Sequence, residues 1–166
     1  MQVIAPKPWD FRHYPCDSEA AAFDVFAPLV SQWQAMAGAR EVPDWRDFDI
    51  AAFGAGWHDM MALEEVFLEP FDTLTVIWGS RLSEVFGYQP RGKRLRDTAV
   101  MRGLLDEDFV FFERCCREPS IGTSGGQLDW RGREYVTIRR LHLPCAPAGG
   151  AVDHLVSFCT VTAQPR

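Results

Sequence analysis

The chain has 166 residues, a formal net charge of -6 at pH 7 and a pI of about 5.2, and it contains 12 Phe and 6 Trp. Its length suits a single domain with a sizeable core, and its acidic balance argues against nucleic acid as a partner, because phosphate binding needs a basic surface. No apolar stretch reaches the roughly 20 residues that cross a bilayer and the N-terminus lacks a secretory pattern, so we expect a cytoplasmic protein with no membrane partner.

Residues 1–17 predict an extended arm that starts no element, because they contain Pro6 and Pro8 and show no apolar period. Residues 18–38 predict a helix, since large apolar side chains recur there every three or four positions. Pro28 interrupts this pattern, so either the helix kinks or two short helices meet.

The apolar stripe of this helix has two interpretations. It is either a lid on the chain's own sheet or an interface with a second copy of the chain, which would make a homodimer. The residues of the stripe are Phe23, Phe26, Val30 and Trp33.

A hairpin is predicted next, because residues 60–69 and 72–79 are both β-prone and a proline-containing turn separates them. Side chains alternate across a strand. We therefore expect Leu74, Val76 and Trp78 to share one face.

Helices are predicted after the hairpin. A corner at Gly79 leads into a short helix that ends at Gly87, and a longer helix is predicted over residues 102–117. Residues 89–97 form an exposed basic loop between them, which is either simply solvated or a docking site for an acidic partner or a phosphorylated ligand.

Three further β-prone segments complete the chain before a short tail at residues 163–166. This order of elements is typical of an α+β domain with a mostly antiparallel sheet, and we assign residues 18–162 to that one domain. The three segments cover residues 120–130, 133–145 and 151–162.

Several local features occur in a fixed order along the chain. They are the helix with Trp33, residues 43–49 (PDWRDFD), Gly79, Phe86 with Gly87, Gly92, and residues 141–144 (LHLP). Together these features resemble a PAS-like family common in alphaproteobacteria. The similarity spans roughly residues 26–161 and implies a bacterial sensor for signal transduction, with helices flanking a five-stranded antiparallel sheet and inserted between its second and third strands.

The cofactor stays unknown, because the motifs of cofactor-binding PAS domains do not occur. Flavin photoreceptors of this class carry a reactive cysteine in an Asn-Cys-Arg-type motif, and haem-binding members commonly place a histidine on the long helix; the sequence has neither. Cys115 or Cys116 could in principle serve as a thiolate ligand, but a packing role is the simpler interpretation. The four histidines lie far apart in sequence, so we predict no metal site.

A small acid/base enzyme of the isomerase or dehydratase type is the alternative function. Asp59, Glu64, Asp153 and His154 could supply a proton-transferring pair in such a fold. Those enzymes begin with helices and continue with consecutive strands, whereas the main helices here follow only two strands. We therefore predict a chain that is not an enzyme.

The sequence thus predicts a PAS-like sensory, signalling or protein-interaction module with no catalytic residues and with a small-molecule pocket between sheet and helices. Output would pass through a protein partner or through self-association. Arg139 is either the anchor of a ligand carboxylate or an outer surface residue. The predicted pocket residues are Leu74, Val76, Trp78, Phe86, Phe109, Phe112, Thr137, Arg139 and Leu141.

Overall fold

The computed structural model describes residues 9–102, 105–128 and 135–163. In these ranges an antiparallel sheet of six strands lies between helices, in the order β1-β4-β5-β6-β2-β3. The strands are β1 (Asp10–Tyr14), β2 (Met61–Leu68), β3 (Phe71–Trp78), β4 (Ile121–Gln127), β5 (Thr137–Cys145) and β6 (His154–Ala163). The α-helices are α1 (Ala27–Ala37), α2 (Ser80–Phe86), α3 (Leu95–Arg102) and α4 (Leu105–Arg117), and 3₁₀ helices cover Ala20–Phe26, Trp45–Asp47 and His58–Met60.

The expected α+β architecture is confirmed, with the main helices between the hairpin of β2 and β3 and the last three strands. The expected number of five strands is wrong, because β1 adds a sixth strand at the edge of β4. β1 lies in the segment predicted to start no element. Its inward residues Phe11 and His13 pack against the ring of Phe111, with centroids 4.9 and 4.8 Å apart. The sequence signal available for this strand was the alternation of Phe11 and His13 with the polar residues Asp10 and Arg12.

Two short helices replace the single one predicted over residues 18–38. The 3₁₀ helix Ala20–Phe26 contains Asp24 at a φ of 50°, and α1 begins directly after it. Pro28 lies in the first turn of α1, where a missing N–H leaves no hydrogen bond unmade. Of the two alternatives at Pro28, the structure shows the junction of two helices.

The apolar stripe of these helices is buried inside the chain. Phe23, Phe26, Val30 and Trp33 are each at most 2% exposed, and the Trp33 indole donates a hydrogen bond of 3.0 Å to the carbonyl of Pro144 in β5. The stripe is therefore a lid on the sheet. The alternative prediction, an interface with a second copy of the chain, is wrong for these side chains because they are already packed within one chain.

The two faces of the sheet carry different helices. Arg139 and Arg140 are neighbours in β5 and so point to opposite faces. Arg139 pairs with Asp24 at 3.6 Å, on the side of the N-terminal helices, whereas Arg140 pairs with Asp108 of α4 at 3.1 Å. The sheet is consequently the middle layer, with the N-terminal helices on one face and α4 on the other.

The segment after α2 is more ordered than predicted. α3 begins at Leu95, which is buried, and half of the predicted basic loop is tied to the protein surface: Arg94 stacks over Phe67 at 4.2 Å and Arg96 over Phe109 at 5.2 Å. Among the described residues, no helix has the length and apolar character required to cross a membrane.

Candidate functional site

A cavity lies between the sheet and helices α2, α3 and α4. It offers about 60 Å³ to the centres of water molecules, several times the roughly 15 Å³ that one buried water needs. Its wall mixes rings and aliphatic side chains with hydroxyl, carboxylate, imidazole and guanidinium groups. Among the described residues, the wall consists of Met60, Ala62, Glu64, Thr73, Thr75, Trp78, Leu82, Phe86, Tyr88, Pro90, Leu95, Thr98, Phe112, Arg140, His142, Leu155, Ser157, Phe158 and Cys159.

A β-bulge decides which residues of β3 reach this cavity. The pairing of β2 and β3 shifts by one residue at Val76, which has no partner in β2. An extra residue of this kind reverses the alternation beyond it. Thr73 and Thr75 therefore line the cavity together with Trp78, while Val76 is 41% exposed and Leu74 lies off the wall. Of the three β3 residues predicted to share the pocket, the structure places Trp78 there.

The remaining predicted pocket residues divide between wall and surroundings. Phe86 and Phe112 are on the wall. Phe109 packs edge-on against Phe71 of β3, and Leu141 is fully buried but belongs to the face of the sheet opposite the cavity. Thr137 starts β5, away from the wall.

Of the two alternatives for Arg139, the structure shows the outer surface residue and not the ligand anchor. Its side chain is 43% exposed and lies 3.6 Å from a carboxylate oxygen of Asp24, so it cannot anchor a ligand in the cavity. The next residue, Arg140, occupies the cavity wall instead, and its side chain is only 10% exposed.

Five polar side chains connect α4 to the cavity in one chain of contacts. Arg140 Nη2 donates to Asp108 Oδ1 at 3.1 Å and Arg140 Nε donates to Ser124 Oγ at 2.9 Å. Ser124 Oγ lies 3.0 Å from His142 Nε2, and His142 Nδ1 lies 2.7 Å from Ser157 Oγ. Because buried polar groups in such a chain polarise one another, each of them holds the next in place.

The charge of Arg140 is balanced inside the protein. Besides its ion pair with Asp108, the guanidinium lies 4.9 Å from the ring centre of Trp9 and 5.5 Å from that of Phe112. An aromatic ring attracts a cation most strongly where water is excluded. Arg140 is therefore a fixed, compensated charge rather than a free cation awaiting an anion.

His142 is neutral at physiological pH. Burial lowers the pKa of its imidazole well below the ordinary value, and the positive charge of Arg140 lowers it further, with a smaller contribution from His13. A neutral imidazole has one donor and one acceptor nitrogen, which suits a position between two hydroxyl groups.

This lowered pKa predicts that the protein loses stability in mild acid. The unfolded chain takes up a proton at the ordinary histidine pKa of about 6.5 while folded His142 does not, so the free energy of unfolding falls as the pH drops below that value. Urea unfolding between about pH 7.5 and 5.5 measures the slope. Replacing His142 by glutamine should make this slope shallower. Part of the slope that remains is due to His13, because burial also lowers the pKa of its imidazole. An unchanged slope in the variant contradicts the assignment.

The residues considered for an acid/base enzyme are not assembled in one place. Glu64 is on the cavity wall and accepts a hydrogen bond of 2.8 Å from Thr75. Asp153 and His154 contact each other at 2.9 Å but are not part of the wall, and Asp59 is exposed. Among the described residues, no group of three histidine, cysteine or carboxylate side chains is arranged to hold a metal ion.

The five cysteines are all free thiols, and we predict that they react slowly in the folded protein. Burial raises the pKa of Cys16, Cys115 and Cys159 to about 12 and also raises those of Cys116 and Cys145, so the reactive thiolate is scarce. A chromogenic disulfide reagent at pH 8 should titrate all five thiols after denaturation and at most the half-buried Cys16 in the folded state. Rapid titration of several thiols without denaturant contradicts this.

The residues missed by the sequence interpretation were Arg140, His142, Ser124 and Ser157. The available signal was in β5, where Arg140 and His142 alternate with leucines. That pattern shows which of two adjacent arginines shares a face with His142. It does not show which face the cavity occupies, because both faces of this sheet are covered.

The chain is similar to a solved structure in its fold but matches no known family by sequence. No protein-family model matches the chain, and no curated protein sequence matches it. Its fold is similar to that in the solved structure of an RNA-binding light-oxygen-voltage receptor, with 14% sequence identity, a TM-score of 0.47 and coverage of 64% of this chain. The match covers 30% of that receptor chain, and at this TM-score the likeness does not extend to ligand, chemistry or partner.

Proposed function

We propose that this chain is a PAS-like sensory or protein-interaction module that binds a small molecule in the cavity between its sheet and helices α2 to α4. The order of elements supports the proposal, with two strands before the helices and three after them in one antiparallel sheet. The sixth strand is an addition at one edge and leaves that order intact.

The observation that carries the proposal is a buried polar network that forms part of the cavity wall. Arg140, Asp108, Ser124 and His142 are each at most 8% exposed, and two of them reach the cavity wall. Burying such groups is unfavourable unless they are paired, and an apolar core of the same shape is often more stable. A cavity that keeps a polar network instead of apolar side chains is typical of a binding site.

Signal output is proposed to pass through the layer opposite the cavity. A ligand changes the packing of the N-terminal helices only if it binds better to one of two arrangements. β5 connects the layers directly, since Arg140 faces the cavity and Arg139 contacts Asp24 beside α1. A protein partner that recognises the N-terminal helices would detect the change. The acidic balance of the chain favours a protein over nucleic acid in that role.

Native mass spectrometry tests the binding proposal. The protein, freshly purified and again after incubation with a small-molecule extract, should carry a non-covalent adduct. In Ala62→Leu, whose larger side chain fills the cavity floor, the adduct should be lost. The matched control is Ala55→Leu, at an exposed position, which should keep it. The absence of any adduct under both conditions, or its retention in Ala62→Leu, contradicts binding at this cavity.

A further inference from the structure

The hydrogen atoms of the polar chain can be assigned from its contacts. Ser124 Oγ receives the Nε hydrogen of Arg140, and its own hydrogen has one acceptor among the described residues, His142 Nε2. His142 then carries its hydrogen on Nδ1 and donates it to Ser157 Oγ. With the other tautomer, the hydroxyl hydrogen of Ser124 would be left unpaired in the core, where this group is 3% exposed.

Ser157 therefore keeps a hydroxyl hydrogen with no acceptor. Its oxygen accepts from His142, its hydroxyl makes no second hydrogen bond among the described residues, and its side chain lines the cavity. Trp78 is in the same condition, because its indole Nε1 is buried and has no hydrogen-bond partner in the described part of the chain. Ser157 and Trp78 are thus two donors of the cavity wall that have no acceptor among the described residues.

The two donors belong to one row across the sheet. Trp78 of β3 is paired with Ala62 of β2, and Ala62 is paired with Ser157 of β6. Neighbouring strands are about 4.8 Å apart, so the two donor residues lie on either side of a single small side chain. Ala62 leaves open space between them, and an acceptor group above it lies between both donors.

The fixed charges of the wall disfavour an anion. Arg140 already pairs with Asp108 through Nη2 and lies near two aromatic rings, so its positive charge is compensated before any ligand binds. The imidazole of His142 is neutral and already uses both nitrogens. Neither group therefore offers an uncompensated positive charge, and taking an unpaired negative charge out of water is very unfavourable.

We infer that the cavity selects an uncharged small molecule whose oxygen acceptor, of the amide or ketone type, accepts hydrogen bonds from Ser157 Oγ and Trp78 Nε1 above Ala62. This inference rests on the proposed function, since it names the class of ligand for the same cavity. The sequence had instead suggested an arginine anchor for a carboxylate.

The test compares two probes with the same carbon skeleton, isobutyramide and isobutyrate. The side-chain N–H signals of the tryptophans are followed in a ¹⁵N–¹H correlation spectrum, where Trp78→Phe identifies the signal of Trp78. Isobutyramide should move that signal downfield and saturably, with a Kd of about 1–10 mM for so small a ligand. Isobutyrate should bind at least about tenfold more weakly.

Variants test whether isobutyramide binding depends on the hydroxyl donor of Ser157. Ser157→Ala should weaken isobutyramide binding about three- to tenfold, the usual effect of one hydrogen bond, whereas Ser31→Ala, an exposed serine on α1, should not change it. Independently of any ligand, the imidazole ¹⁵N spectrum should show His142 protonated on Nδ1.

Three results of these spectroscopic measurements overturn the inference. They are equal or tighter binding of isobutyrate, no response of Trp78 to isobutyramide at about 50 mM, and protonation of His142 on Nε2. An acidic adduct lost in Ala62→Leu would overturn it too while leaving the proposed function standing. Amide-selective binding by a protein that carries no adduct from any extract would support the selectivity of the cavity and contradict the proposed function.

Discussion

Replacing Arg140 by methionine should lower the free energy of unfolding by about 3 kcal/mol. Methionine matches the length of the arginine stem but removes the guanidinium, so the 4% exposed carboxylate of Asp108 loses its ion pair and Ser124 loses a donor. Removing one partner of a buried pair is more damaging than removing both. Urea unfolding followed by tryptophan fluorescence measures the change.

The adjacent arginine is a matched control for this experiment. Arg139→Met removes the same side chain from the same strand, but its contact with Asp24 is exposed and should change stability by at most about 0.5 kcal/mol. A double variant, Arg140→Met with Asp108→Asn, should recover part of the loss, because no negative charge is then buried. Equal losses in the two single variants contradict the placement of Arg140 and Arg139 on opposite faces.

Gly79→Ala is the second change with a large expected effect, a loss of about 3 kcal/mol or more. The corner after β3 passes so close to the chain before β2 that a Cβ on Gly79 would overlap the backbone carbonyl of Asp59 and would lie 2.9 Å from the carbonyl oxygen of His58. Backbone atoms cannot move aside as a flexible side chain can. The Gly79 N–H also donates to the Met61 carbonyl at 2.8 Å, which holds the corner in place.

The next residue supplies the comparison for Gly79. Ser80 begins α2 and is exposed, so Ser80→Ala should change stability by at most about 0.5 kcal/mol. If Gly79→Ala unfolds at the same urea concentration as the wild type, the corner is not as tight as the structure shows. The close approach explains why a glycine is needed at a position where its φ is ordinary.

The sequence predicted the hairpin and the Gly79 corner because their signals are local. Strand runs, a turn between them and a glycine before an amphipathic segment are properties of neighbouring residues. The same reasoning failed within β3, where one bulge at Val76 moves Thr73 and Thr75 onto the cavity wall in place of Leu74. A bulge depends on the partner strand, which the sequence of β3 does not contain.

The edge strand β1 shows a similar limit. Its five residues are too few to give a clear period, and the prolines before it suggested an irregular arm. Pairing with β4, more than a hundred positions away, is what makes it a strand. Short strands of this kind are determined by their partner more than by their own composition.

By itself, the sequence determined the α+β class, the order of the main elements and the acidic net charge, because periodicity, turn residues and charge are local or additive properties. Only the tertiary structure decided which of two adjacent arginines lies in the cavity, that the stripe with Trp33 is a lid, and that Ser124, His142 and Ser157 form one polar chain. The physical reason is that burial and hydrogen bonding depend on contacts between distant segments, and those contacts exist only once the chain has folded.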